Sequence, residues 1–320
     1  MAKTGPTHSA RIPQYVDRNE VYPPPYTCAG VKMFGFIFQA DQDKLIQFCN
    51  RTLNFNDKRH YRPITPYVMV TYTFMSQVRA APPYDQRGWF TETEVAVWVP
   101  TFGMNHVLGS WVIDPFHPAF YTPYIFVDNP IAIAGGREIY GFPKQWGQTQ
   151  MPHSHTEPQV FTTDVFALKT FSPDSQGGQM RLMDITRTYT PTEEPQPYQS
   201  LSHLFSDVLG RFGHTIESGV TLAEDLFRLQ VPMVFLKEFR DIDSEVNACY
   251  QAITEASAQV TRFSGWHLPG TYQMTLEDLA SVPLFDDLGL QSQTSHFNFW
   301  LDIDMTLGLG QRVWAESVTK

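Results

Sequence analysis

Runs of β-branched and aromatic residues, separated by segments rich in turn residues, constrain the fold of this chain most. Residues 67–75 and 90–99 are two such runs, and the turn-rich segment A-A-P-P-Y-D-Q-R-G lies between them. Further runs of this kind occupy residues 33–39, 160–169, 180–188, 231–239, 247–262, 271–276 and 297–306. Because such residues favour extended chain, the pattern predicts neighbouring strands of a sheet.

Helical patterns are fewer and lie between the strand patterns. Asp41 is typical of a helix N-cap, and the residues after it place these apolar side chains on one side of a helix: Leu45, Ile46, Cys49 and Leu53. The chain contains 24 Phe, 14 Tyr and 7 Trp, which favours a β-rich structure with a lined interior over a helical bundle. We therefore predict an α+β fold with an antiparallel, barrel-like sheet and peripheral helices.

The chain divides into an arm and one long domain. Residues 1–27 are polar and rich in proline, and we interpret them as an N-terminal arm that lies across the surface or a partner subunit. We interpret residues 28–316 as a single domain. Within it, a linker at 189–199 precedes a helical insertion at about 200–229, for which a lid, a subunit contact and simple surface packing stay open.

Charge and cysteine content narrow the range of functions. The net charge of −10 argues against nucleic acid or an anionic membrane as a partner, because both select for basic surfaces. Three cysteines without paired spacing disfavour a disulfide framework or a zinc site, and the pair His153 and His155 has no third ligand nearby. The N-terminus lacks a signal peptide's apolar segment and no run is long enough to span a membrane, so we expect a cytoplasmic protein without a metal.

One lysine stands in an apolar segment, residues 130–147, which reads P-I-A-I-A-G-G-R-E-I-Y-G-F-P-K-Q-W-G. Asp128 and Asn129 can cap a helix at the start of this segment, and Gly141 is typical of a helix end. Lys144 is therefore expected on extended chain directly after a short apolar helix.

The surroundings of Lys144 predict a lowered pKa. Phe142 and Trp146 flank it, and no acidic residue is nearer in the sequence than Glu138. A free lysine has a pKa of about 10.4, and burial in apolar surroundings can lower it by roughly 3 to 5 units. The resulting neutral amine attacks ketones and forms a Schiff base. The alternative is that this side chain reaches solvent beside an ordinary helix stop.

The run at residues 90–99 carries two carboxylates on one face. Alternation places Glu92 and Glu94 on the same side as Trp98 and on the opposite side from Val95. If this side lines a dry cavity, one carboxyl group would have a raised pKa and could exchange protons with a substrate. The alternative is an exposed acidic rim at a strand end.

The segment 136–144, G-R-E-I-Y-G-F-P-K, resembles the signature of the acetoacetate decarboxylase superfamily. V-D-N-P before it, and V-F-L-K-E-F-R, A-C-Y-Q-A-I and W-L-D-I-D-M after it, resemble that family in the same order, so the resemblance covers roughly residues 28–316. It implies an acetoacetate decarboxylase-like barrel in which Lys144 is the Schiff-base nucleophile. No diffusible cofactor is then needed, because the lysine itself supplies the electron sink.

The resemblance also implies roles for residues around this lysine. F-T-E at 90–92 matches the segment that supplies the family's active-site glutamate, so Glu92 is the acid/base candidate and Glu94 the reserve. The residues expected to shape the substrate pocket are Phe142, Trp98 and Tyr140. The residues expected to brace the lysine segment are Arg137 and Glu138.

Three departures separate this sequence from the enzyme that decarboxylates acetoacetate. Val31 stands where the resemblance places a carboxylate-binding arginine, and the adjacent Lys32 points to the other face of its strand. Thr71 or Thr73 replaces a second glutamate, and Gln145 follows the nucleophile in place of a lysine. We therefore expect weak activity on acetoacetate and better activity on a larger, more apolar carbonyl compound.

Three functions stay open from the sequence. The first is a decarboxylase-like lyase that forms a Schiff base with a keto acid or related carbonyl compound. The second is an aldolase, dehydratase or cyclase that uses the same lysine. The third is a non-catalytic protein that binds a small molecule. The expected partner is a small-molecule carbonyl substrate, and we expect a homo-oligomer.

Overall fold

A computed structural model describes residues 15–16, 21–157, 159–212, 230–295 and 297–317. The strands in these residues are β1 (Tyr26–Gln39), β2 (His60–Pro63), β3 (Tyr67–Ala80), β4 (Phe90–Val107), β5 (Ser110–Val127), β6 (Lys144–Gln150), β7 (Val160–Ala167), β8 (Gly178–Tyr189), β9 (Gln196–Tyr198), β10 (Gln230–Arg240), β11 (Ala248–His267), β12 (Thr271–Leu276), β13 (Gln293–Thr294), β14 (Phe297–Leu307) and β15 (Gln311–Ser317). The helices are α1 (Gln42–Thr52), α2 (Pro130–Gly135), α3 (Leu201–Phe212) and α4 (Leu284–Leu288). A 3₁₀ turn (Tyr84–Arg87) and a π-helical turn (Gly136–Tyr140) complete the regular elements.

Seven of these strands close into a barrel. The order around it is β5-β10-β11-β14-β1-β3-β4, and pairing of β4 with β5 closes the ring. This confirms the predicted α+β class and barrel-like sheet with few helices. The sheet is not antiparallel throughout, however, because β5 runs parallel to both β10 and β6. The prediction was wrong on this point because long connections join these strands: α2 lies between β5 and β6, and the chain from α2 to α3 lies between β5 and β10. Parallel strands need crossover connections of this kind.

A second layer of strands covers one side of the barrel. Strands β6, β7, β8 and β12 follow one another in this layer, and β6 joins it to the barrel through β5. The core between barrel wall and outer layer is mainly apolar and includes Phe34, Phe36, Val95, Val97, Phe161 and Ile185. Because side chains alternate along a strand, the even-numbered phenylalanines of β1 fill this core while Val31 and Ile37 point into the barrel.

Helix α1 begins where its sequence predicts, but its buried face includes Phe48, and Ile46 of the predicted face is only half-buried. The Asp41 carboxylate accepts hydrogen bonds from the backbone N–H groups of Asp43 and Lys44, at 2.9 and 3.1 Å. This satisfies two of the donors that a helix start leaves open. The side chains of Leu45 and Cys49 are buried in the core between the two layers.

The structure describes part of the expected N-terminal arm and part of the expected helical insertion. Strand β1 begins at Tyr26, two residues before the expected domain start, and Tyr22 of the expected arm donates a hydrogen bond to the Arg87 carbonyl at 3.0 Å. Residues 1–14 and 17–20 of the arm lie outside the described residues. Helix α3 occupies the first part of the expected insertion, and residues 213–229 lie outside the described ranges. Within those ranges, no helix combines the length and apolar character that a membrane crossing requires.

Candidate active site

The chain brings Lys144 to the barrel through α2 and the π-helical turn. The Asn129 side chain caps α2 by accepting hydrogen bonds from the N–H groups of Ile131 and Ala132, at 2.9 and 3.3 Å. The π-helical turn ends at Gly141, whose φ of +83° lies in the left-handed region. Such a residue stops a helix, so the chain then turns into β6 with Lys144 as its first residue.

The glycine at the start of the signature makes room for the lysine. A Cβ atom at Gly136 would lie 2.8 Å from Cδ of Lys144, which is closer than real contacts of this kind. At Gly141, a Cβ atom would also meet the backbone of Lys237, at 2.7 Å from its Cα. The glycines that identify the motif in the sequence are therefore places where the backbone passes close to other groups.

Lys144 lies between two carboxylates inside the barrel. Its Nζ donates a short hydrogen bond to Oε1 of Glu92 and lies 3.3 Å from Oε2 of Glu94. All three side chains are buried. Glu92 and Glu94 come from one face of β4, which is the face that strand alternation predicts.

These carboxylates reverse the predicted pKa shift of the lysine. Burial alone would lower the pKa of Lys144, but the charges of Glu92 and Glu94 and their hydrogen bonds outweigh it and hold the pKa above its ordinary value. The predicted lowering was wrong because it considered only sequence neighbours, whereas Glu92 is 52 residues away along the chain. Burial raises the pKa of Glu92 to about 7 against the opposing charge of Lys144, and the charge of Glu94 adds to the rise.

A cavity of about 150 Å³ adjoins the three charged groups. Most of its lining is apolar, and among the described lining residues Lys144 is the one cation. An engineered apolar cavity of the same volume binds benzene, so this cavity has room for a molecule of about that size. Helix α3 closes one side of it with Leu201, Leu204, Phe205 and Val208.

The aromatic residues predicted for the pocket all line this cavity. The ring of Phe142 lies 5.7 Å from Nζ of Lys144 and packs against Phe235, with ring centroids 4.3 Å apart. Tyr140 donates its hydroxyl hydrogen to the Gly308 carbonyl at 2.8 Å, and Trp98 donates its indole N–H to Thr71 at 2.8 Å. Trp146 does not share this setting, since 38% of its side chain is exposed.

The residues expected to brace the lysine segment, and the two at the position of the missing arginine, also lie near the site. Arg137 donates a hydrogen bond to the backbone carbonyl of Lys144 at 3.2 Å, so it contacts the lysine segment outside the cavity. Glu138 is half-buried in the same turn. Val31 is fully buried, whereas Lys32 forms an ion pair with Asp302 on the other face of β1. The pair explains why Lys32 is not a substitute for the missing arginine.

Sequence reasoning missed several residues of the lining. Cys28 and Met33 reach the cavity from β1, and Tyr22 and Tyr26 reach it from the segment interpreted as an arm. Burial raises the pKa of the Cys28 thiol to about 12, so this group stays protonated. Alternation along β1 could have identified Met33 from its spacing to Val31, but no local pattern connects Y-P-P-P-Y to a cavity.

His153 and His155 lie away from the cavity lining and pack against aromatic rings. The ring of His155 packs against Trp300 and Trp266, at centroid distances of 4.7 and 5.5 Å, and His153 packs against Phe74 at 4.6 Å. In the part of the chain that the structure describes, no group of three or more His, Cys, Asp or Glu side chains has the arrangement of a metal site.

The model of the family described as acetoacetate decarboxylase (ADC) matches residues 11–193, which is more than half of the 320 residues. The chain belongs to this family. The match includes Lys144 and both cavity carboxylates. No curated protein sequence matches the chain significantly.

Solved structures of similar fold cover almost the whole chain. Acetoacetate decarboxylase from Legionella pneumophila subsp. pneumophila str. Philadelphia 1 is 18% identical with a TM-score of 0.60, over 96% of this chain and 94% of that one. The enduracididine biosynthesis enzyme MppR, bound to the condensation product of pyruvate and imidazole 4-carboxaldehyde, is 12% identical with a TM-score of 0.54, over 98% of each chain. An acetoacetate decarboxylase-like enzyme from Sphingomonas wittichii RW1 is 12% identical with a TM-score of 0.52, over 92% of this chain and 94% of that one. Family and fold together support an enzyme of the acetoacetate decarboxylase superfamily.

Proposed function

We propose that the protein is a lyase in which Lys144 forms a Schiff base with a small carbonyl compound. The observation that carries this proposal is the enclosure of the Lys144 amine between two buried carboxylates at the wall of an apolar cavity. An ammonium group in such a place has two proton acceptors beside it and little water around it. It can therefore give up its proton locally when a carbonyl compound fills the cavity.

The first step transfers a proton from Lys144 to Glu92. The ammonium and carboxylate become a neutral amine and a neutral acid, which removes two charges from a dry environment. The raised pKa of Glu92, about 7, makes it a suitable acceptor. Glu94, whose Oε2 lies 3.3 Å from the same nitrogen, is the second carboxylate beside the position of the cationic iminium and is placed to stabilise it.

The amine then attacks the carbonyl carbon and forms a carbinolamine. Glu92 returns the proton it took from Lys144 to the carbinolamine oxygen, which leaves as water, and the cationic iminium remains. When a bond to the next carbon breaks, its electron pair flows into the iminium and forms an enamine. The fragment that leaves is CO₂ from a keto acid or an aldehyde from a hydroxy ketone. Glu92 takes the hydroxyl proton of a hydroxy ketone as the aldehyde leaves, or regains a proton from solvent after loss of CO₂, and we propose that it returns this proton to the enamine carbon. Addition of water to the resulting iminium then releases the product and restores the lysine.

The charges of the cavity favour a neutral substrate over a keto acid. Two carboxylates and one ammonium line it, and no arginine is among its described lining residues. A carboxylate that enters would lose hydration worth several kcal/mol without gaining the charge-assisted hydrogen bond of about 1.5 to 3 kcal/mol that usually compensates for it. We therefore infer weak turnover of acetoacetate and better turnover of a neutral, more apolar carbonyl compound.

This charge pattern also favours the second candidate, aldolase or dehydratase chemistry with the same lysine. Neither reaction needs a carboxylate on the carbon that reacts. The MppR structure is of a related fold and contains the condensation product of pyruvate and imidazole 4-carboxaldehyde. A neutral hydroxy ketone is accordingly the substrate class that we would assay beside the keto acids.

Borohydride trapping tests the proposal directly. The protein is incubated with acetoacetate, longer and aryl-bearing keto acids, and neutral ketones and hydroxy ketones, then reduced and analysed by peptide mass spectrometry. We expect an adduct on Lys144 that is absent from Lys144→Ala. The adduct mass also identifies the compound that was accepted.

Lys237 supplies a matched control for this experiment. Burial lowers its pKa, so it is the other described lysine with a reason to react as an amine, and it lies outside the cavity. Lys237→Ala should leave trapping unchanged. Adducts that persist in Lys144→Ala and disappear in Lys237→Ala would show that the nucleophile was assigned to the wrong residue. Binding without any adduct would favour the non-catalytic alternative.

A further inference from the structure

The cavity beside Lys144 is elongated along strand β4. Glu94 and Trp98 both line it, and they lie four positions apart on one face of β4. On the neighbouring strand β3, Thr73 and Met69 also line it, and these two residues pair with Glu94 and Trp98. Because a strand rises about 3.3 Å per residue, the lining extends over roughly 13 Å from the carboxylate to the tryptophan.

The charged groups lie toward one end of this cavity. Among the described lining residues, the charged side chains are Lys144, Glu92 and Glu94. Beyond Glu92 the lining on β4 continues for only two residues, to Phe90, whereas in the other direction it continues to Trp98. A carbonyl carbon within reach of the Lys144 amine therefore has a short space on one side and a long space on the other.

Helix α3 closes the long side. The Trp98 ring contacts the Phe120 ring, with centroids 5.9 Å apart, and Phe120 contacts Phe205 of α3, with centroids 5.6 Å apart. Phe205 and its neighbour Leu204 both line the cavity and are buried. The long side of the cavity therefore ends at the side chain of Phe205.

The α3 end of the cavity is apolar. The described lining residues there include Met69, Trp98, Leu204, Phe205, Val208 and Met233. The one side-chain N–H of this set belongs to Trp98, which donates it to Thr71 at 2.8 Å. A polar group of a ligand would lose its hydration at this end without gaining a side-chain partner, whereas an alkyl group gains free energy by burial.

The volume of the cavity limits the width of what it can hold. It is about 150 Å³, a volume that holds one benzene molecule when it is compact. Extended over roughly 13 Å, the same volume suits a single chain of atoms better than a ring system. An extended chain of about ten bonds spans this distance.

We propose that the substrate is a neutral ketone with one long, unbranched alkyl chain, and that Phe205 sets the greatest chain length. This inference rests on the proposed function, since it takes Lys144 as the group that binds the carbonyl carbon. The short substituent of the ketone points toward Phe90, and the alkyl chain extends past Trp98 to α3. Phe205 is then a specificity-determining residue for a reaction whose chemistry takes place at the other end of the cavity.

A chain-length series tests this proposal. Straight-chain methyl ketones from butanone to 2-tridecanone are trapped with borohydride, and the half-saturating concentration for the Lys144 adduct is measured for each. The matching secondary alcohols cannot form a Schiff base, and their dissociation constants are measured by ligand-observed NMR. In both series each added methylene should tighten binding about fourfold until the chain reaches α3, where the gain should stop.

Two further compounds test the shape and polarity of the α3 end. A branched ketone with as many carbons as the best straight-chain ketone should bind about tenfold more weakly or worse, because it overpacks a narrow space. A straight-chain ketone with a hydroxyl group at its far end should also bind about tenfold more weakly, because that hydroxyl is buried without a partner. Equal binding of either compound and the straight-chain ketone would overturn the proposal.

Substitutions at Phe205 should move the length limit in opposite directions. Phe205→Leu shortens the side chain and should admit a longer ketone, whereas Phe205→Trp should exclude chains that the wild-type protein accepts. Butanone should be trapped equally by all three proteins. The control is Phe48→Leu, because Phe48 is also a helix phenylalanine with 8% exposure but packs in the core outside the barrel. Thermal unfolding checks that each variant is folded.

The two series separate failure of this inference from failure of the proposed function. Ketones that are trapped on Lys144 without any dependence on chain length would overturn the inference and leave the lysine chemistry in place. A length limit that responds equally to Phe205→Leu and Phe48→Leu would overturn the role of Phe205. Alcohols that show the limit, combined with ketones that form no adduct, would support the limit set by Phe205 and overturn the Schiff-base function.

Discussion

The two faces of the barrel wall have very different packing, although the same strands supply both. On the face toward the outer layer, Phe36 is fully buried and contacts the rings of Phe38, Tyr72, Phe161 and Tyr272. On the inner face, strands from the same wall line a cavity and carry Glu92 and Glu94. The difference shows how the fold separates stability from chemistry, since one face is filled and the other keeps space and charge.

Removal of Lys144 from the inner face should change activity and stability more than any other substitution considered for the two faces. Lys144→Ala should abolish turnover and imine trapping, and it leaves two carboxylates buried without their cation, which typically costs about 3 to 5 kcal/mol of stability. Lys144 lowers the pKa of Glu92, so its removal should raise that pKa beyond about 7 in the folded state. A carboxyl group whose folded-state pKa is raised stabilises the fold while protonated, and this stability is lost as pH rises through that pKa.

Thermal unfolding of Lys144→Ala and wild-type protein at pH 5 and pH 8 measures this pH dependence. The variant should be destabilised relative to wild type at both pH values, and by more at pH 8. An equal loss at both pH values would mean that the carboxylates are not paired with Lys144 as described.

Substitution on the filled face should destabilise the protein without changing its chemistry. Phe36→Ala should cost about 3 to 5 kcal/mol, because it opens a cavity among four aromatic rings. Met33→Ala, on the same strand, faces a cavity that already exists and should cost less while admitting larger carbonyl compounds. Urea unfolding combined with imine trapping on each variant measures both effects. The comparison fails if Met33→Ala is the more destabilising of the two.

Glu92 should matter for proton transfer more than for stability. Glu92→Gln should keep the fold and the trapped adduct but lower turnover roughly 10²-fold, as the loss of a general acid/base does. Glu94→Gln is the matched variant, since Glu94 lies on the same strand face at the same lysine. Steady-state turnover of the two variants shows which carboxylate is the general acid/base. If Glu94→Gln alone abolishes turnover, Glu94 has the role assigned here to Glu92.

The pH dependence of imine formation should follow Glu92. Lys144 keeps its proton to high pH, so it becomes nucleophilic only by passing that proton to a carboxylate. Ionised Glu92 is the nearer acceptor, and in Glu92→Gln the slower transfer to Glu94 remains, so the same adduct should still form. Below about pH 7 the trapping rate should therefore fall by about tenfold per pH unit, and above it the rate should level off. In Glu92→Gln this inflection near pH 7 should disappear. A rate that rises only near the pKa of free lysine would contradict the proposed proton transfer.

The smallest expected effect concerns a hydroxyl group on the inner face. Thr73 lines the cavity, and its buried Oγ1 has no hydrogen-bond partner, as is also true of Thr122 outside the cavity. If the Thr73 hydroxyl bonds a substrate oxygen, Thr73→Val should weaken binding of a hydroxy ketone about fivefold relative to a ketone with a methyl group in its place. Thr122→Val should not change this ratio. Ligand-observed NMR measures the affinities of the hydroxy ketone and of its methyl analogue for both variants. If Thr73→Val has the same affinity ratio as the wild-type protein, the Thr73 hydroxyl does not bind the substrate oxygen.

Local patterns predicted the parts of this molecule that local chemistry decides. The Asp41 cap, the alternation that places Glu92 beside Glu94, and the glycine stop before Lys144 all depend on neighbours within a few residues. The pKa of Lys144 could not be predicted in this way, because its sign depends on a carboxylate 52 residues distant. The parallel strand pairs and the cover of the cavity by α3 likewise depend on which distant elements meet, and sequence spacing does not contain that information.

Strand β6 belongs to both layers, so Lys144 reaches its partners only when the layers have joined. It pairs with β5 in the barrel and with β7 outside it. The position of Lys144 between Glu92 and Glu94 therefore depends on the joint between barrel and outer layer as well as on the barrel itself. A chain in which the outer layer has come away from β5 would keep both carboxylates on β4 and would have no cation between them.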